Sequence, residues 1–122
     1  MKDFRELKVW EKAHKLVLAC YKLSRHFPPD ERFGLTSQIR RCSASIPANI
    51  AEGCGRTGDG EFCRFLQIAM GSATELDYHW LLARDLGFVS EKDYREMGEG
   101  VLEVKRMLAT LVRKVSVDRL GR

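Results

Sequence analysis

The chain has 122 residues, 44% of them hydrophobic, and carries a formal charge of +4. That length builds one packed core without staples and is short for two domains, so a single domain over 1–122 is expected. No apolar run approaches the ~20 residues of a membrane span, and Met1-Lys-Asp-Phe-Arg-Glu-Leu7 has no apolar signal stretch behind it. A soluble cytoplasmic protein with no membrane partner is the expectation.

The first helix is predicted from about Leu7 to His26. Trp10, Ala13, Val17, Cys20 and Phe27 follow a 3/4-spaced seam, flanked by Val9, Leu16 and Leu23. Asp3 and Glu6 are placed as a cap and its third-position carboxylate. Pro28-Pro29 ends the segment, because proline has no amide donor and restricts the residue before it.

The second helix begins between Asp30 and Leu35 and has no ordinary solvent side. At roughly 100° per residue, Leu35, Ile39, Cys42, Ile46, Ile50 and Gly53 share one face. Arg41, Ser45, Asn49, Glu52 and Arg56 form a polar stripe beside it. Ser37, Ala44, Ala48, Ala51 and Gly55 make a third face of small residues, where a surface helix would normally carry long charged ones. Pro47 lies within the segment, but the apolar phase runs from Ile46 to Ile50 across it, which predicts a bend rather than a break.

The third helix is predicted from about Glu61 to Leu86, with Phe62, Phe65, Ala69, Leu76, Ala83 and Leu86 as its seam and Leu66 and Leu82 in support. Gly71-Ser72-Ala73 is a small run suited to a close neighbour, and Gly87 is a natural stop. Ser90 and Asp93 open the fourth helix in capping-box style. Its seam, Tyr94, Met97, Val101, Val104, Leu108, Leu111 and Val115, is the cleanest of the four. Acidic residues in its early turns and basic ones in its late turns complement the helix dipole. With short connections and no alternating strand pattern, the expected fold is all-α, an antiparallel up-down four-helix bundle.

Cys20, Cys42, Cys54 and Cys63 form no CxxC pair, and His14, His26 and His79 lie at unrelated spacings. Zinc sites usually show close ligand pairs, so these cysteines read as core packing and no metal is expected. Reduced thiols also fit the cytoplasm. His14 near Trp10, and His79 one turn after Glu75, read as structural, because no triad order or phosphate loop accompanies them. Neither catalytic residues nor a cofactor are expected, and the chain reads as a non-enzyme.

The run from Gly34 to Arg56, followed by Glu61-Phe62 and Arg64-Phe65-Leu66, resembles the 23S rRNA intervening-sequence protein family, or S23-type four-helix bundle proteins. Leu7-Lys-Val-Trp-Glu-Lys-Ala-His14 and Ala83-Arg-Asp-Leu-Gly87 fit the same pattern. The resemblance spans about Phe4 to Leu111. It implies a four-helix bundle assembling into a barrel-like homopentamer. It also links the chain to accessory proteins of diversity-generating retroelements, in which a basic pentamer binds nucleic acid and a reverse transcriptase. Gly58 stands where the family often has a capping serine, and Cys42 and Cys54 where alanine and an aromatic are common.

Two functional readings follow. In the first, RNA or DNA is bound through backbone-directed cations: Lys8, Lys12, Lys15 and Lys22 along one side of the first helix, with Arg40, Arg41, Arg56 and Arg64. No base-reading module is present. In the second, the chain is a scaffold for protein partners, a reverse transcriptase or another protein. Its oligomer interface would be formed by Ser37, Arg41, Ala44, Ala48, Asn49, Ala51, Glu52 and Gly55. Arg41 and Glu52 are too far apart on one helix to pair, which points them at Glu61, Arg64 or a neighbouring subunit. A homo-oligomer serves both readings.

Overall fold

The computed structural model describes residues 3–120; residues 1–2 and 121–122 of the expected domain lie outside them. Four α-helices follow in chain order: α1 (Lys8–Ser24), α2 (Leu35–Gly55), α3 (Asp59–Asp85) and α4 (Glu91–Leu120). Each packs on its chain neighbours, and α1 closes the ring against α4. Cross-helix contacts give the directions. The end of α1 meets the start of α2 through Arg40 and Ser24, and the start of α3 meets the end of α4 through Cys63 and Val112. This is the expected antiparallel up-down bundle. Among the described residues no helix is long and apolar enough to cross a membrane.

The entry to α1 differs from the expectation. Asp3 accepts from the Arg5 amide at 3.0 Å, but it caps a separate 3-10 turn, Phe4–Glu6. Leu7 is extended, so α1 starts only at Lys8. The turn folds back because Phe4 packs on Trp10 with ring centroids 4.9 Å apart, while Trp10 stacks on His14. Holding Trp10 at the rim turns the seam by one position. Val9, Ala13, Leu16, Cys20 and Phe27 are buried, whereas Trp10 and Val17 are only half-buried.

In α2 the six residues of the expected apolar face are all buried, and burial extends to Ser43, Pro47 and Cys54 because the helix is packed between α1 and α3. The helix runs unbroken through Pro47. Proline leaves the Ser43 carbonyl without its i+4 donor, and side chains bond the carbonyls around that gap. Ser43 Oγ donates to the Arg40 carbonyl at 3.1 Å, Ser45 Oγ to that of Cys42 at 2.8 Å, and Asn49 Nδ2 to that of Ser45 at 2.7 Å. At the N-terminus Glu31 accepts from the Leu35 amide at 2.9 Å, a cap supplied from the preceding 3-10 turn.

The seam of α3 is buried from Phe62 to Ala83, joined by Cys63, Ala73, His79 and Trp80. Trp80 is fully enclosed and meets Phe27 edge-on at 5.8 Å. Leu86, expected in the seam, is 52% exposed. The helix has already ended there: the Gly87 amide donates to the Arg84 carbonyl and the Phe88 amide to that of Ala83, a Schellman closure that turns the chain outward. Gly71, expected at a close helix contact, faces open space. The close approach lies instead at Gly53. Gly58 precedes α3 with φ +88, a backbone region in which the serine common in the family would be strained, so this position calls for glycine. Ser90 caps α4 as expected, its Oγ accepting from the Asp93 amide at 3.0 Å.

Candidate functional site

The cations assigned to nucleic acid are spread over three helices, and most are engaged. Lys12 Nζ lies 3.1 Å from Glu103 of α4, and Lys15 lies 3.2 Å from Glu11. Arg40 donates to Ser24 Oγ at 2.9 Å and lies over the Tyr21 ring. Arg64 binds Glu61 at 2.9 Å, and that hydrogen bond holds the Glu61 carboxyl below the usual carboxylate range. Arg56 and Arg64 both lie over the ring of Phe65. Lys22 is exposed near the far end of α1. Lys8 makes no ion pair among the described residues. It lines an apolar groove of about 350 Å³ with Arg106, Lys114 and Met107, where α1 meets the late turns of α4. Sequence spacing along α1 found Lys8 but not its α4 neighbours, which only the antiparallel packing brings alongside.

The small-residue face of α2 is on the surface of the single bundle. Ala48 and Gly55 are exposed, Ser37, Ala44 and Ala51 half-buried, and a Cβ on Gly55 would meet nothing within 4 Å. Glu52 does not reach α3: its Oε2 pairs with Arg56 Nε at 3.3 Å one turn along α2. Glu61 and Arg64 likewise satisfy each other within α3. Asn49 is turned back onto its own helix through the Ser45 carbonyl.

Arg41 belongs to a different setting. With Gln38, Cys42, Ser45 and Glu75 it lines a polar pocket of about 530 Å³ between α2 and α3. Glu75 and His79, one turn apart on α3, are joined by a 3.0 Å contact between Oε2 and Nε2. The Cys42 thiol reaches across from α2 and donates to the Ser72 carbonyl at 3.0 Å. Cys42 Sγ, a Glu75 oxygen and a His79 nitrogen all lie within 4.8 Å of one another. His79 is 8% exposed at its side chain and Glu75 61%, so the cluster bridges core and solvent. Burial, reinforced by the Glu75 carboxylate, pushes the Cys42 thiol up to about 12. A thiol held protonated in that way is a poor nucleophile, and its hydrogen bond goes to a carbonyl rather than to the imidazole. The arrangement therefore lacks the activated cysteine of a Cys-His hydrolase. The i,i+4 pair was legible in the sequence; the third member was not, because Cys42 lies on another helix 33 positions before Glu75.

The family model described as 23S rRNA-intervening sequence protein matches residues 5–110. Among solved structures, a protein of unknown function from the S23 ribosomal protein family of Bacteroides thetaiotaomicron VPI-5482 has the same fold. The TM-score is 0.80 at 23% identity, over 86% of this chain and 95% of that one. The comparison with curated proteins gives no match.

Proposed function

The chain belongs to the 23S rRNA-intervening sequence protein family, and from there we propose that it acts as a non-enzymatic, oligomeric scaffold or accessory protein of the cytoplasm. The observation that carries this reading is the outer face of α2. A helix whose inner residues are buried leaves small residues on its outer side, Ala48 and Gly55 exposed and Ala44 and Ala51 half-buried. Small side chains let a second backbone approach closely, and the resemblance to S23-type proteins implies a homopentamer. The remaining polar surface then receives a protein partner, of which a reverse transcriptase is the one the resemblance implies.

Sedimentation equilibrium at roughly tens of micromolar, a range suited to ordinary oligomer affinities, tests the assembly. A monomer at that concentration overturns it. Ala48→Arg should dissociate the assembly while leaving helicity intact, since Ala48 is exposed in the single bundle.

Nucleic-acid binding is the second reading, favoured by one feature: Lys8, Arg106 and Lys114 line the same groove. Repeated around an oligomer, such a triad gives a phosphate-directed surface without base selection. Lys12, Lys15, Arg56 and Arg64 each have an acidic neighbour that a phosphate would have to displace, which favours the scaffold reading.

A further inference from the structure

We propose that Cys42, Glu75 and His79 form a zinc-binding site between α2 and α3, open to solvent at its fourth position. All three ligands come from one chain, so the site needs no second copy and no nucleic acid to form.

Three donors of the types zinc favours, a sulfur, an imidazole nitrogen and a carboxylate oxygen, come together from two helices. Two are one turn apart on α3, so the helix itself sets their spacing; the third is directed at them by the α2–α3 packing. The donor atoms lie within 4.8 Å of one another, and one pair, Glu75 Oε2 and His79 Nε2, is at 3.0 Å. The edges of a tetrahedron built with zinc-ligand bond lengths are roughly 3.5 Å. Closing the remaining distance calls for rotation of the exposed Glu75 side chain and of the Cys42 thiol away from the Ser72 carbonyl.

The donor set selects the metal. A thiolate and an imidazole suit zinc and disfavour magnesium or calcium, which require oxygen ligands. Binding releases the thiol proton to solvent and takes Nε2 of His79 as the ligand atom, while Nδ1 on the far side of the ring is buried with no hydrogen-bond partner among the described residues. Two ligands, Cys42 and Glu75, line the polar pocket, which gives the fourth position access to water. Arg41 on the same wall suits an anion in that place.

The test is titration of chelator-treated, reduced protein with Zn²⁺ against a chromophoric chelator, and with Co²⁺ followed by its absorption spectrum. The expected result is saturable uptake of one zinc per chain, with a thiolate-to-cobalt charge-transfer band. Glu75→Gln, an exposed substitution that leaves the core alone, should weaken zinc by more than about tenfold, a direct ligand being worth at least as much as an outer-shell partner. Cys42→Ser should abolish the cobalt band, while Cys63→Ser, at the far end of α3, keeps it. Absence of saturable uptake, or zinc affinity unchanged in both Glu75→Gln and Cys42→Ser, overturns the proposal. Should Cys42→Ser unfold, unchanged affinity in Glu75→Gln overturns it alone.

Discussion

Gly53 of α2 and Phe65 of α3 approach so closely that a Cβ on the glycine would stand 2.9 Å from the Cβ of the phenylalanine. The same added atom would lie 3.1 Å from Phe62 Cδ1. Because the obstructing Phe65 atom is anchored to the backbone, no rotamer change relieves it. The contact sets how near the end of α2 sits to the start of α3, and so the spacing of the most extensively packed helix pair in the bundle.

Gly53→Ala is expected to destabilise the fold. Alanine gains about 1 kcal/mol in helix propensity, but overpacking a closed interface costs about 1–3 kcal/mol. A net loss on the order of 1 kcal/mol should appear as a lower urea midpoint with an unchanged m-value. A midpoint above wild type would mean that the two helices separate freely.

Trp80 is fully buried, and its Nε1 has no oxygen or nitrogen partner among the described residues, the soft sulfur of Cys20 being its neighbour. Trp80→Ala should therefore cost about 3–5 kcal/mol. Trp80→Phe removes the N–H, which has only the Cys20 sulfur beside it, together with part of the ring, and should cost under half as much. Equal losses in the two variants, measured by chemical denaturation, would show that the indole nitrogen has a bonding role.

For Pro47 opposing terms nearly cancel. Restoring an amide donor in the helix interior is worth up to about 3 kcal/mol. Removing two buried ring carbons costs about 1.6 kcal/mol at 0.8 per methylene, and losing the proline constraint on the unfolded chain costs a further ~0.4–1 kcal/mol. Pro47→Ala should leave the circular dichroism of α2 unchanged and shift stability by about 1 kcal/mol or less. A loss above ~2 kcal/mol would mean that the packing of α2 depends on proline at this position.

The ion pairs also predict how any binding to RNA depends on salt. Neutralising Lys8, Lys12 and Lys15 together removes one cation that is free among the described residues and two that are paired with Glu103 and Glu11. Each phosphate contact contributes up to about one unit to the logarithmic salt slope. The triple variant should therefore flatten the slope by about one unit; a change near three units would show that the pairs open to admit the backbone.

Helical periodicity determined much of this protein directly. The inner face of α2, five of the seven seam residues of α4 (Met97, Val101, Val104, Leu108 and Val115, with Tyr94 and Leu111 half-buried), the Ser90 cap and the stop at Gly87 were legible in the sequence, because each depends on residues within a few positions of one another. From such patterns an up-down bundle follows, since short connectors leave adjacent helices little choice but to reverse.

What required the tertiary structure involves distance along the chain or competition for one side chain. The seam of α1 turned because Phe4 and His14 hold Trp10 at the rim. Glu52 chose Arg56 over α3, since a partner one turn away costs little side-chain order to reach. Gly53 acquired its role only when Phe65 was set opposite it. Cys42 joined Glu75 and His79 for the same reason: α2 and α3 run antiparallel, and packing their apolar faces also aligns the polar groups at the margin of those faces. Periodicity states which face of a helix is buried, but the residues it meets depend on the register of the opposing helix, and packing alone sets that register.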